Sequence, residues 1–332
     1  MKVIVTGGSG FIGSSVVDEL LLTNMYDVVI VDRKMNSWSK RLYGIHDNVE
    51  LIEDDIRNLR NNHFGENVHG VIHLAADHIV SDSVRNPMKF YQNNIGGLLH
   101  LLKILNIDQR VDDLSNPMLA NPSKPLFVYS SSAAIYQSQP GLIRETSPKI
   151  PINAYGLTKF WGEEILNACS AYNMNHVSLR YFNVAGAGLH HGYITNPATH
   201  VIPILIECVK TNNVFKINGN TYNTPDGTCV RDYVHVKDLA RAHVLALQGL
   251  NNHRSYFPKS INLGLGCGIS VKELIKIAER TLSTVILYEY GNKREGDPDV
   301  LVANIERATD GLKWTPKYSI SDMISDHWSW MR

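Results

Sequence analysis

The sequence carries no excess of charge of either sign: 32 Lys+Arg stand against 32 Asp+Glu, a formal net charge of zero. Such a chain sets up no broad field for nucleic acid or an anionic membrane, so a cation used on a phosphate must act locally. Cysteine is scarce. The four present (Cys169, Cys208, Cys229 and Cys267) are far apart and form no CxxC pair. That argues against a metal site and a disulfide framework, and for reduced thiols in a cytoplasmic setting. Long apolar runs are missing as well: Val28–Val31 and Leu98–Leu105 are too short or too interrupted to span a bilayer. Met1-Lys2 leads straight into Val3-Ile4-Val5 and then glycines, unlike a signal peptide. No internal repeat or heptad is visible. What remains is 332 residues, 44% apolar and 19% charged, enough for one large domain or two modest ones with a sizeable core.

Short β-rich runs alternate with amphipathic stretches through the first half. Strands are expected at Lys2–Thr6, Val28–Asp32, Val49–Glu53, Gly70–Leu74, Leu126–Ser130 and His176–Arg180, with helices at Phe11–Thr23, Lys89–Leu105 and Ala154–Ala171. This order reads as an α/β fold: a doubly wound parallel sheet with helices on both faces. From about residue 186 the pattern loosens into polar loops and shorter helices, the look of a smaller ligand-shaped domain. The expected division is 1–185, joined by about 228–262, against an interleaved 186–332. The Pro/Asn/Asp/Ser-rich stretch Asp108–Lys124 should be a surface loop.

Thr6-Gly7-Gly8-Ser9-Gly10-Phe11-Ile12-Gly13 links the first strand to the first helix. Gly7, Gly10 and Gly13 allow a tight turn, a pyrophosphate against backbone N–H groups, and close helix packing. Asp32 ends the second strand. A carboxylate there accepts from an adenosine ribose and repels a 2′-phosphate, which favours NAD over NADP, although Arg33 and Lys34 follow it. Asp55-Ile56 ends the third strand, where an adenine edge could be read or a helix capped.

Tyr155 and Lys159 form a YxxxK pair, which a helix presents on one face. A free tyrosine titrates near ~10; a neighbouring ammonium favours the phenolate, making Tyr155 a base for an alcohol that loses hydride. Ser130-Ser131-Ser132 closes a strand whose carboxyl end faces a ligand crevice, so one hydroxyl could bond the substrate oxygen. The plain alternative is a serine-rich strand end that caps a helix.

With these elements in order, the chain resembles the extended short-chain dehydrogenase/reductase family, in its UDP-galactose 4-epimerase branch. The stretches that carry the likeness include VTGGSGFIGS, VIHLAA, YSSSAAIY, NAYGLTK, LRYFNVAGA, DGTCVRDYVHVKDLA and KREGDP. The resemblance implies a Rossmann-type sheet, bound NAD, a UDP-sugar substrate and a homodimer joined through the Lys89–Leu105 and Ala154–Ala171 helices. It makes Ser132, Tyr155 and Lys159 the catalytic set. It places Gly7, Gly10, Phe11, Ile12, Gly13 and Asp32 at the cofactor, with Asp55, Ile56, Leu74, Ala75, Ala76 and Asn94. Ser130, Tyr155, Lys159 and Tyr181 complete that group. Beside Ser132 and Tyr155, it assigns Asn183, His200, Val201, Asn218, Arg231, Arg294, Asp297 and Leu301 to the sugar nucleotide. Arg231 and Arg294 make sense independently, since guanidinium forks suit a diphosphate.

The expected activity is 4-epimerisation, through a transient 4-keto sugar, of UDP-glucose and UDP-galactose. The alternatives are UDP-N-acetylglucosamine or UDP-pentose epimerisation, a dehydratase or decarboxylase, and a non-catalytic NAD-binding protein. Ala133-Ala134 stand where 4,6-dehydratases carry an acidic pair, which disfavours loss of a C6 hydroxyl. The intact Ser–Tyr–Lys set opposes a non-catalytic role. Two departures from the family pattern are His78, preceded by Asp77, where lysine is common, and His200, where some members have asparagine. Leu301 falls at a gate residue, intermediate between the bulky and small side chains that set sugar size.

Overall fold

The structure, a computed structural model, describes all residues except 66, 108–123, 190, 194–197, 253–256 and 295–296. The expected loop Asp108–Lys124 therefore lies, but for its last residue, outside the described residues. The first half runs β1 (Lys2–Thr6), α1 (Phe11–Leu22), β2 (Asp27–Asp32), α2 (Ser37–Tyr43), β3 (Val49–Glu53), β4 (Val68–His73), α3 (Val80–Arg85), α4 (Pro87–Phe90), a π turn (Tyr91–Ile95), α5 (Gly96–Ile104), β5 (Leu126–Ser132), α6 (Ala154–Cys169) and β6 (His176–Tyr181). Then come β7 (Asn183–Ala185), α7 (Val201–Thr211), β8 (Phe215–Asn218), β9 (Val230–Arg231), β10 (Tyr233–His235), α8 (Val236–Asn252) and β11 (Ser260–Leu263). The chain ends with β12 (Ile269–Ser270), α9 (Val271–Leu282), β13 (Tyr288–Gly291), β14 (Val300–Leu301), α10 (Glu306–Leu312) and α11 (Ile320–Met331).

Seven strands form one sheet in the order β11-β6-β5-β4-β1-β2-β3, every neighbouring pair parallel. Alternation along each strand feeds two cores. Val3 and Val5 join Val28, Ile30 and Val128 against α1 and α8, while Ile4 joins Val29, Val31 and Phe127 against α5 and α6. Burial on both faces is why these strands read as continuous apolar runs. The fold class is as the sequence implies. The smaller sheets β10-β7, β12-β9-β14 and β13-β8 lie beyond it, around a third core built from α7, α9 and α11.

Two local differences have physical causes. Strand β5 runs to Ser132, past the expected Ser130, because it pairs with β6 as far as Ser132 against Tyr181. The expected helix Lys89–Leu105 is broken by the π turn at Tyr91–Ile95. Within it Asn93 Nδ2 donates to the Asp77 carboxylate, while Asn94 accepts from Asp77 N at 2.8 Å and donates to Asp77 O at 3.0 Å. A widened turn brings two consecutive asparagines to one loop, and π turns commonly sit at such functional places.

Helix α6 is pinned to β5 by a close approach and by buried charge. A Cβ on Gly162 would sit 2.1 Å from the Tyr129 hydroxyl, so only glycine allows this spacing. One residue on, Glu163 accepts from Ser131 Oγ at 2.5 Å and from Arg180 Nε and Nη2 at 2.9 and 2.6 Å. Arg180 also donates to Tyr136 Oη and the Glu145 carbonyl, at 2.6 and 2.9 Å. Both members of the ion pair are buried. Removing one partner strands the other's charge, at a cost of about 3–5 kcal/mol, whereas an apolar pair of similar volume can be nearly neutral. Arg180→Leu is therefore expected to lose about that much stability in urea unfolding, and Glu163→Leu/Arg180→Leu to recover most of it. A single variant as stable as the native chain would refute this account.

Candidate active site

Chain direction across the sheet reverses between β1 and β4, and ligands of such sheets bind where the strand order reverses, at the carboxyl ends. A cleft of about 1520 Å³ opens there. Nearly all the residues singled out from the sequence line it.

At the cofactor end, the turn after β1 is as tight as its glycines imply. A Cβ on Gly7 (φ +72°) would lie 2.8 Å from Ala75 N, and one on Gly13 would lie 2.1 Å from the Gly7 carbonyl. Gly10 caps α1 without a side chain, and no acidic residue sits in the first turn. The N–H groups at Phe11 and Ile12 thus face the cleft with the positive end of a 12-residue helix behind them. Such a cradle fits a pyrophosphate. Asp32 accepts from Ser9 N at 3.1 Å, and burial raises its carboxyl above the usual range. Arg33, the residue that cautioned for NADP, turns to Asp77 at 3.4 Å. Asp55 lines the cleft with Ile56 but is held in a bidentate pair by Arg57, which lowers its carboxyl to about 2. Leu74, Ala75 and Ala76 form the wall at the end of β4.

Asn94 is the exception. It does not line the cleft; its amide is occupied by Asp77 and by the Thr158 hydroxyl, the latter at 3.0 Å. It clamps the loop after β4 onto α6, and its neighbour Asn93 reaches the cleft instead.

Tyr155 and Lys159 stand on one face of α6, whose N-cap Asn153 accepts from Gly156 N at 2.8 Å. Lys159 Nζ donates to the Ser130 carbonyl at 2.6 Å and lies 5.9 Å from the centre of the Tyr155 ring. Burial brings this ammonium down to about 7. Burial likewise raises the Tyr155 phenol, and the facing Ser132 hydroxyl works against that rise by favouring the phenolate. Ionisation of Tyr155 beside Lys159 would hold the proton on the lysine, so the two charged forms support each other. Ser130 and Ser132 point into the cleft from β5, while Ser131 between them turns to Glu163.

At the far end, Arg231 Nη2 meets Asp297 at 2.6 Å, and Tyr222 donates to the same carboxylate at 3.0 Å. With its amide turned as hydrogen bonding requires, Asn218 accepts from Arg294 Nε and Nη2, each at 3.2 Å. Val201 opens α7 behind His200, whose ring burial holds well below neutrality, to about 4. Asn183 and Leu301 complete the wall. The arrangement sets a phenol–lysine–serine group between a dinucleotide cradle and a pair of guanidinium forks.

Sequence reasoning missed Tyr193. Its ring stands edge-on 5.7 Å from Phe11, its hydroxyl lies 2.8 Å from Thr199 Oγ1 and 3.3 Å from His78 Nε2, and its ring lies 4.3 Å from that of His200. It sits in a polar stretch with no periodicity, so no signal was available. Cys229 also lines the cleft; it lies within the DGTCVRDYVHVKDLA stretch, where only Arg231 was singled out.

The NAD dependent epimerase/dehydratase family matches residues 3–264 of the chain. The UDP-glucose 4-epimerase of Lacticaseibacillus casei is 37% identical, over 99% of this chain and 96% of that one. A crystal structure of UDP-glucose-4-epimerase from Stenotrophomonas maltophila, with bound NAD and formylated UDP-arabinopyranose, superposes with a TM-score of 0.87 at 32% identity, covering 99% of this chain and 97% of that. That of UDP-glucose 4-epimerase from Bifidobacterium longum, in complex with NAD+ and UDP, gives 0.83 at 31%, covering 100% and 98%.

Gly13→Ala tests the cradle. The added methyl meets the Gly7 carbonyl, so the purified variant should carry on the order of a tenth of the native NAD content or less. Undiminished NAD, measured by absorbance after acid release, would contradict the close-approach account.

Proposed function

The chain belongs to the NAD-dependent epimerase/dehydratase family, and on that premise we propose that it interconverts UDP-glucose and UDP-galactose by inverting the sugar at C4. The observation that carries this is the convergence in one cleft of the glycine cradle, the Ser132–Tyr155–Lys159 group and the Arg231 and Arg294 guanidinium forks. A simple alcohol dehydrogenase would need no second anion site. The likeness to UDP-glucose 4-epimerases along 99% of the chain supports the same reading.

Bound NAD supplies a reversible hydride acceptor beside the sugar. Tyr155 takes the proton of the 4-hydroxyl as C4 loses its hydride. Lys159 favours the phenolate, and Ser132 bonds the same oxygen and relays its proton. Arg231 and Arg294 hold the diphosphate as a pivot, with Asn183, Val201, His200, Asn218 and Asp297 around it. The 4-ketose then turns about its link to that pivot, so hydride returns to the opposite face and Tyr155 gives its proton back. Gly7, Gly10, Phe11, Ile12, Gly13, Asp32, Asp55, Ile56, Leu74, Ala75 and Ala76 would hold the cofactor's adenosine and pyrophosphate. Ser130, Lys159 and Tyr181 would hold its nicotinamide end. Ala133 and Ala134 offer no acid to expel a C6 hydroxyl.

A second sugar class stays open at one position. Leu301 lines the cleft on β14, and a gate side chain of intermediate size is compatible with N-acetylhexosamines or pentoses as well as with plain hexoses. We further assign residues 1–185 with about 228–262 to a cofactor domain and the remainder to a substrate domain. A cytoplasmic location accords with four free thiols; recovery from the soluble cell fraction is its check. Exposed Met88, Leu99 and Trp161 lie on α4, α5 and α6, where the Tyr91 ring packs 5.5 Å from Trp161. Apolar side chains on adjacent helices suit a homodimer interface.

NMR of the purified protein with UDP-galactose, no NAD added, should show the gluco epimer appearing. Tyr155→Phe should slow this by about 10²–10⁴-fold. A parallel run with UDP-N-acetylgalactosamine decides between the sugar classes, and absence of turnover with either sugar, even with NAD supplied, would sink the epimerase reading. Light scattering should report twice the chain mass, falling to the monomer in Met88→Glu/Leu99→Glu; a native monomer would end the dimer proposal.

A further inference from the structure

Behind the cleft, outside every residue assigned above, His243 is fully buried on α8. Its Nδ1 lies 2.8 Å from the Leu239 carbonyl one turn earlier. A carbonyl only accepts, so Nδ1 carries the hydrogen. Burial holds the ring neutral, its pKa lowered to about 4, and a neutral imidazole with hydrogen on Nδ1 has only a lone pair at Nε2. The partner of Nε2 is the Tyr181 hydroxyl at the end of β6, the rings standing at 62° with centres 5.4 Å apart. The Tyr181 O–H is therefore the donor and points away from the cleft. Tyr181 lines that cleft beside Ser130 and Tyr155, so its oxygen offers the cleft lone pairs alone.

We infer that His243 is a positioning residue: it fixes Tyr181 as a pure hydrogen-bond acceptor toward the cofactor, and so selects the amino end of the nicotinamide carboxamide. The logic is a chain of directions. The helix carbonyl sets the tautomer, the tautomer sets the phenol, and the phenol accepts N–H but refuses C=O. A carboxamide presents one of each, so an acceptor-only wall turns it one way and with it the ring from which hydride moves. The same arrangement keeps the Tyr181 proton facing His243, which leaves Tyr155 as the phenol of the cleft free to ionise. Two phenolates there would repel; burial first, and Tyr155 in smaller part, raise the Tyr181 phenol, while the hydrogen bond from the Ser130 hydroxyl opposes that rise.

This inference rests on the reading that the cleft holds NAD, and the test separates the two. Affinities of the cofactor-stripped protein are measured by calorimetry for NAD and for its 3-acetylpyridine analogue, in which a methyl ketone replaces the carboxamide and no N–H remains. The native protein should prefer NAD by about tenfold, the worth of one hydrogen bond to a buried acceptor. Tyr181→Phe should remove that preference by weakening NAD while leaving the analogue unchanged. His243→Leu should do the same, the double variant should equal either single one, and His243→Gln, whose amide oxygen can accept, should restore part of the preference. A preference that persists in Tyr181→Phe, or additive losses in the double variant, would overturn the inference. Should His243→Leu unfold, Tyr181→Phe decides alone. A native protein that binds neither dinucleotide would instead overturn the NAD reading and this inference with it.

Discussion

The 2.6 Å contact from the Lys159 ammonium to the Ser130 carbonyl is the constraint on which the site's geometry depends. A lysine that is 3% exposed is costly to charge unless its partners are fixed. The fixing is done by neighbours on the same helix. Thr158 meets Asn94, Gly162 admits the Tyr129 hydroxyl, and Glu163 takes Ser131 and Arg180. These anchors tie α6 to β5, β6 and the π turn, so a slide along the sheet would break several at once. Such a buried ion pair contributes little net stability. Its use here is to set where the Tyr155 oxygen stands relative to Ser132.

The substrate side has its own organising group. Asp232, buried between Arg231 and Tyr233, accepts backbone N–H bonds from Tyr233, Leu265, Gly266 and Ala303 at 2.7–3.0 Å. Burial raises this carboxyl, to about 6, against the pull of those four amides. It knots β9 and β10 to the turn after β11 and to the chain beyond β14. The positions of Arg231 and Leu301 follow from that knot, because one adjoins it and the other pairs with β9. In the proposed function the guanidinium forks take the diphosphate, set apart from Tyr155 and Lys159, which face the sugar. Inversion at C4 asks for this asymmetry: a clamp at the diphosphate and freedom for the sugar to turn.

What the sequence disclosed and what it hid divide by range. The glycine loop and the YxxxK pair are short-range patterns whose spacing already encodes a turn or a helix face, and both stand where expected. Alternation in β1 to β6 announced the parallel sheet, since both faces are buried. Asn94 lay beyond such reasoning because its role depends on a π turn and on Asp77, which no periodicity reveals. Tyr193 was hidden for the same reason. The Tyr181–His243 contact joins residues far apart in the chain, and a histidine on an apolar helix face looks like any core histidine until the fold shows its partner.

Zero net charge demanded that any phosphate be met locally, and the cleft shows how. Arg33 is drawn off by Asp77, as is Lys89 at 3.9 Å, and Arg231 already shares Asp297. His78 and His200, which stand in place of a lysine and an asparagine common in the family, are both pushed below their usual range by burial first. They line the cleft as neutral groups and bring no cation to it. Arg294 differs: the partner it faces among the described residues is the neutral amide of Asn218. Among the described residues, positive groups of the cleft without a carboxylate partner are thus found at Lys159 beside Tyr155 and, away from it, at the open amides of α1 and the Arg294 fork. The last two lie on either side of Tyr155 in one cleft, which is the arrangement the proposed function requires if two diphosphate-bearing molecules are to meet across the phenol.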